Sequence, residues 1–162
     1  MMKIGILNYG MGNLKSISNS LKYNSIQSNL ISDYSEIKNS DIIILPGVGA
    51  FDIAMKNLIN KNFLDAIKEH AQKNKKIIGI CLGMQLLFER SFEFGEHKGL
   101  SLIEGNVLPL KKEVNHRVPH VGWNNCVSAN KNYDSFEGDY YFVHSFYCKP
   151  KMDSEVILKS SH

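Results

Sequence analysis

Ile77-Ile78-Gly79-Ile80-Cys81-Leu82-Gly83-Met84-Gln85-Leu86-Leu87-Phe88-Glu89 carries an apolar strand pattern into a helical one across a single cysteine. Residues 77–80 hold no polar side chain, which predicts a strand buried on both faces, and Met84 to Glu89 read as a helix. The join is the sulfur version of the G-x-S-x-G nucleophile elbow. A sharp strand-to-helix turn packs the positions two before and two after the nucleophile so closely that glycine suits both, here Gly79 and Gly83. Such a turn lifts the thiol above the carboxyl ends of the strands and sets it at a helix N-terminus, where free N–H groups favour thiolate. The amide of Leu82 would point at a developing oxyanion. The alternative is a core cysteine in a Gly-flanked turn, since free cysteine is commonly buried. The strand before Cys81 and the helix after it favour the nucleophile.

Working outward from the elbow, the preceding residues repeat the same alternation. Lys3 to Asn8 and Ile26 to Ile31 read as strands, and Asp41 to Leu45 is apolar on both faces and closed by Pro46-Gly47. Leu14, Ile17 and Leu21 recur at helical spacing, as do residues of Phe51 to Ile59. In Phe63 to Ala71, Phe63, Ile67 and Ala71 share one face. Strand-helix alternation of this kind predicts a doubly wound, mostly parallel α/β sheet. After Arg90 the character changes. Ser91 to Gly99 reads as a loop, followed by short strands at Val107 to Leu110, Val118 to Trp123, Tyr140 to Phe146 and Val156 to Leu158. These predict an antiparallel extension of the sheet or a cap on one edge. No repeat, low-complexity tract or linker interrupts the chain, so residues 1–162 are read as one domain.

Composition agrees with that size. The chain has 162 residues, 43% hydrophobic and 22% charged, and its mean hydropathy is −0.21. These are ordinary values for a globular domain with a real core. A formal charge of +3 is too mild for a nucleic-acid binder. No apolar run approaches the roughly 20 residues of a membrane span, and Asn8-Tyr9-Gly10 breaks the first one too early for a signal peptide. Cys81, Cys126 and Cys148 are too few and too scattered for a disulfide scaffold or zinc cluster. The expectation is a reduced, cytoplasmic chain without a metal.

Further candidates surround the cysteine. Pro46-Gly47-Val48-Gly49-Ala50-Phe51 follows the other fully apolar strand, and ligands of open α/β sheets bind at such strand ends. By itself it is an ordinary strand-to-helix turn; beside Cys81 it is a candidate oxyanion strand. Asn8-Tyr9-Gly10-Met11-Gly12-Asn13 resembles a dinucleotide fingerprint, but Lys15 occupies the third glycine position, so no dinucleotide cofactor is expected. The loop could line a crevice or face a partner. Among the histidines, His70 reads as solvated on a Lys/Glu-rich helix and His97 as loop surface. Pro119 between His116 and His120 excludes a helical metal pair. His144 is either a strand histidine or a wall of the Cys81 pocket, and spacing leaves both open. Cys126 and Cys148 lack an elbow and read as structural. Lys73, Lys75 and Lys76 read as a solvated helix end.

Taken in order, the segments 8–13, 46–51, 79–85, His120-Val121-Gly122-Trp123-Asn124 and Tyr141-Phe142-Val143-His144-Ser145-Phe146-Tyr147 resemble the class I glutamine amidotransferases over essentially the whole chain. Within these they resemble the glutaminase subunits of imidazole glycerol phosphate synthases. The resemblance implies a flavodoxin-like fold and a glutaminase without a cofactor. It implies that Cys81 attacks the glutamine side-chain amide and that ammonia leaves a glutamyl thioester for water to hydrolyse. It further implies that Val48, Gly49 and Leu82 form or gate the oxyanion hole, and that Gln85, Glu93, Ser145 and Phe146 hold glutamine. The implied partner is a (β/α)8 cyclase in a heterodimer. That partner would be met by the Gly10–Asn13 loop and the His120–Asn124 segment, would receive ammonia through a tunnel, and would raise the glutaminase activity.

One feature departs from the family. Its triad is completed by a histidine and glutamate in a His-Pro-Glu segment, and no His-x-Glu occurs here. His162 cannot stand in as that base, since no glutamate follows it. The expectation is a domain lacking the last strands, helix and His-Pro-Glu segment, catalytically incomplete for want of a proton acceptor. A shortened reading frame or fragment is expected rather than a natural pseudoenzyme. Two other readings stand beside this one: a paralogue supplying ammonia for surface-sugar amidation, and a non-catalytic regulatory binding subunit.

Overall fold

A computed structural model describes residues 2–111, 117–129 and 131–161. His116 and His162, each weighed in the sequence, lie outside the described residues.

The N-terminal half is a parallel sheet in the order β2-β1-β3-β4, formed by β1 (Ile4–Leu7), β2 (Asn29–Ile31), β3 (Ile42–Leu45) and β4 (Lys76–Gly79). Register pairs Gly5 with Ile43 and Leu45 with Gly79. The carboxyl ends of β1, β3 and β4 therefore reach one edge together. Helices cover both faces. Helix α1 (Leu14–Tyr23) lays Leu14, Ile17 and Leu21 against Ile4, Ile6 and Ile44. On the opposite face α2 (Tyr34–Asn39), α3 (Phe51–Asn60) and α4 (Phe63–Gln72) bury Ile37, Phe51, Leu58, Phe63 and Ile67 around Leu7, Ile43 and Leu45. This is the doubly wound arrangement expected from the alternation, with α2 added. Its sequence signal is Asp33-Tyr34-Ser35-Glu36: the Asp33 carboxylate accepts from the Ser35 amide at 2.8 Å, and Glu36 reaches back to the Asp33 amide at 3.1 Å, a capping box.

The predicted helix through Glu89 is mostly replaced by strand. Helix α5 (Leu82–Gln85) is a single turn, and β5 (Phe88–Ser91) follows it. The reason is competition for backbone. The carbonyl of Leu86 accepts from the amide of Leu100 at 2.8 Å, and that of Leu87 from Leu102 at 2.8 Å. Carbonyls that would have continued the helix are thus taken by a distant segment. The predicted loop 91–99 is a hairpin, since β6 (His97–Lys98) pairs antiparallel with β5.

The later strands do not extend the parallel sheet. β7 (Ile103–Pro109) and β10 (Phe146–Pro150) pair antiparallel in a second sheet ordered β10-β7-β5-β6, where β5 and β7 run parallel. β8 (His120–Ser128) and β9 (Gly138–His144) form an antiparallel ribbon extended by β11 (Leu158–Lys159).

His70 corrects the sequence reading. Helix α4 turns Phe63, Ala66, Ile67 and His70 inward, and His70 is 2% exposed with Nε2 3.2 Å from the carbonyl oxygen of Lys76. A stripe at i, i+3, i+4, i+7 fits a helix as well as the one through Ala71, and packing selected it. Burial lowers the pKa of the His70 imidazole, outweighing the hydrogen bond to the Lys76 carbonyl, which raises it.

Candidate active site

Cys81 stands between β4 and α5 with φ 54° and ψ −117°, a backbone conformation that residues with a side chain rarely adopt. Its surroundings hold it there. A Cβ on Gly83 would lie 1.8 Å from the carbonyl oxygen of Leu45, and one on Gly79 would lie 2.6 Å from the Cα of Met84. Both glycines are required by backbone-on-backbone contact, as the elbow reading anticipated. The Cys81 side chain is exposed.

Segment 46–50 lies directly against this elbow. A Cβ on Gly47 would meet the amide nitrogen of Gly83 at 2.7 Å and the Cβ of Leu82 at 2.8 Å. Val48 is 57% exposed, and Gly49 takes φ +99°. Among the described residues, no acceptor takes the amides of Val48, Gly49 or Leu82. The elbow that carries the exposed Cys81 thus packs on a segment whose amides have no partner, which makes that segment a candidate oxyanion site.

The remaining candidates come in from three elements. The Gln85 side-chain amide donates to the Phe146 carbonyl over 3.4 Å, which joins α5 to the start of β10. Glu93, in the β5–β6 hairpin, accepts from the Phe51 amide at 2.8 Å, so its carboxylate is fixed to the far end of segment 46–51. The carbonyl of Ser145 accepts from Leu110 at 2.8 Å, which sets the β9–β10 bend. Cys81, Leu82, Val48, Gly49 and Glu93 thereby gather through contacts with one segment, and Gln85 brings in Phe146.

The histidines form a separate chain of contacts. His144 Nδ1 lies 2.9 Å from the Phe146 carbonyl, His144 Nε2 lies 3.0 Å from His120 Nδ1, and His120 Nε2 lies 2.9 Å from Asn124 Oδ1. The Phe146 carbonyl is common to Gln85 and His144. His120 is buried and stacks on Phe142 with ring centroids 4.9 Å apart. Cys126 is buried, as a structural cysteine would be. Burial, followed by the charge of Cys81, pushes the Cys148 thiol up to about 12, so at neutral pH it is protonated and inert. Among the described residues no cluster of His, Cys, Asp or Glu could hold a metal, and no helix is long and apolar enough to cross a membrane.

Tyr9 was read only as part of a loop, yet its side chain is 1% exposed and its hydroxyl donates to the carbonyl of Pro46. Asn13, at the other end of that loop, caps α1 by accepting from the Ser16 amide at 3.1 Å.

Comparison with known proteins agrees with this geometry. The chain is 49% identical over 149 residues to "Imidazole glycerol phosphate synthase subunit HisH" of Caldanaerobacter subterraneus subsp. tengcongensis, covering 89% of this chain and 72% of that protein. It is 42% identical over 166 residues to the protein of the same description in Aquifex aeolicus, covering 99% of this chain and 79% of that one. Among solved structures, one described as a glutamine amidotransferase superposes with a TM-score of 0.77 at 15% identity, over 96% of this chain and 79% of that chain. That likeness concerns the fold. The family model described as glutamine amidotransferase class-I matches residues 6–162, and the chain belongs to this family.

Proposed function

We propose that the protein is the glutaminase component of an imidazole glycerol phosphate synthase. Cys81 Sγ adds to the side-chain amide carbon of glutamine, and the oxygen that becomes negative is received by amides of Leu82 and of Val48 or Gly49. The proton given up by the thiol ends on the amide nitrogen, collapse breaks the C–N bond and releases ammonia, and water hydrolyses the glutamyl thioester to glutamate. Gln85, Glu93, Ser145 and Phe146 hold the glutamine. The observation that carries the reading is the strained Cys81 backbone with segment 46–50 packed on its elbow. That arrangement supports a nucleophile served by partnerless amides.

Ammonia would pass to a (β/α)8 cyclase, which makes imidazole glycerol phosphate and an aminoimidazole carboxamide ribotide in histidine biosynthesis. The loop 10–13 and the 120–124 segment would meet that partner. Trp123, 70% exposed on β8, would be its apolar anchor. Such a heterodimer belongs in the cytoplasm. The HisH description of the relatives favours this reading over sugar amidation or a purely regulatory binding role. No His-x-Glu occurs in the sequence, so the proton acceptor for the thiol is not identified among these residues.

The test is to treat the protein with 6-diazo-5-oxo-norleucine, a thiol-directed glutamine analogue, and to weigh the intact protein and its peptides. One adduct confined to Cys81 is expected. Equal labelling of Cys126 and Cys148 would sink the reading.

A further inference from the structure

At the end of β3 the parallel ladder closes with one last bond, the Ile80 amide to the Leu45 carbonyl at 3.0 Å. The next carbonyl, that of Pro46, has no strand partner and accepts instead from the hydroxyl of Tyr9, 37 residues earlier. Because the Pro46–Gly47 peptide is planar and trans, fixing its carbonyl fixes the opposite N–H and the direction in which the chain departs. The far end of the segment is fixed by Glu93 on the Phe51 amide. Between these two clamps lie Gly47, packed on the elbow, and Val48 and Gly49 with their unpartnered amides. The loop carrying Tyr9 also presses on the same place. A Cβ on Gly12 would stand 2.7 Å from the Cβ of Pro46 and 3.2 Å from the amide nitrogen of Gly47.

We propose that Tyr9 is a positioning residue for the oxyanion hole: its hydroxyl sets the plane of the Pro46–Gly47 peptide, and through it the presentation of the Val48 and Gly49 amides beside Cys81. The inference rests on the glutaminase reading of this site. Tyr9 does not touch the reacting atoms, since its hydroxyl is engaged by the Pro46 carbonyl and the side chain is buried in the core. Burial also raises the pKa of the phenol, so it remains a donor across the whole working pH range. Donors aligned for the transition state are worth most where charge develops, so a misaligned segment lowers the chemical step and leaves glutamine binding largely intact.

The full chain is compared with its Tyr9→Phe variant using the γ-(4-nitrophenyl) ester of glutamate. Nitrophenolate leaves without a proton, so acylation of Cys81 reads the nucleophile and the oxyanion hole without needing a general acid. Alkylation of Cys81 by iodoacetamide, a displacement that forms no oxyanion, runs in parallel. The maximal acylation rate is expected to fall about tenfold to a hundredfold. Half-saturation and the iodoacetamide rate should stay within about twofold. Unchanged acylation, or acylation and alkylation falling together, overturns the proposal.

If Tyr9→Phe does not fold, Gly12→Ala perturbs the same peptide from the half-buried loop that packs on Pro46. The same split between acylation and alkylation is expected there, and its absence counts equally against Tyr9. A parent chain that reacts with neither the ester nor the diazo analogue would mean that the glutaminase reading itself has failed. A parent that reacts, with a variant matching it, removes only the role of Tyr9.

Discussion

Cys81 and His70 show how differently single residues declare themselves. The turn at Cys81 is written in its neighbours, because a positive φ flanked by close-packed glycines two residues to either side is a local steric requirement. His70 gave no such sign. Its helix carries Lys68 and Glu69 and ends at Lys73, and only the docking of α4 on the sheet decided that it is buried. A pH dependence follows. Since the folded-state pKa of His70 lies below the ordinary value of 6.5, its neutral ring supports the fold fully above that value. The contribution is lost as pH falls through 6.5 towards the depressed folded value, because the unfolded chain binds the proton first. Thermal unfolding should therefore occur at lower temperature at pH 5.5 than at pH 7.5. His70→Gln should flatten that slope between the two pH values, and an unaltered slope would remove His70 as the cause.

At the scale of elements, the elbow is the most constrained unit. Gly83→Ala would drive a methyl group into the Leu45 carbonyl, a backbone atom that cannot move without breaking the β3–β4 ladder. A loss of more than about 3 kcal/mol in denaturant unfolding is expected, whereas Gln72→Ala at the exposed end of α4 should stay within about 0.5 kcal/mol. A mild effect at Gly83 would show that the elbow is looser than its contacts imply. Strands β1 and β3 and helices α3 and α4 were legible from apolar runs bounded by turn residues and from helical spacing. Strand β4, expected to be buried on both faces, is instead a half-exposed edge strand among the described residues, because no strand pairs on its outer side. The fate of Leu86 to Glu89 was not legible. The short apolar run Leu86-Leu87-Phe88 suits helix and strand alike, and the choice was made by the amides of Leu100 and Leu102, which bond the Leu86 and Leu87 carbonyls. Helix α2 was legible in principle through its capping box but lies in too polar a stretch to show an apolar face.

Across the whole molecule, the apolar surface is unevenly covered. Strand β4 ends the parallel sheet among the described residues, and Ile78 on it is 46% exposed beside Ile80. Val121, Trp123, Tyr141 and Val143 add a second apolar face on the β8–β9 ribbon. Open strand edges and apolar patches of this kind promote association. The isolated chain is expected to elute increasingly ahead of its monomer position as concentration rises, and Ile78→Lys should reduce that shift. Monomeric elution at every concentration would refute the expectation. The sequence by itself determined the α/β order and the sharp turn that carries Cys81, because both follow from local sterics and short periodicities. Tertiary structure alone decided which groups meet: Tyr9 on Pro46 and Glu93 on Phe51 bridge 37 and 42 residues. Hydrogen bonds at such separations depend on how the strands and loops are laid together, and no local pattern encodes them.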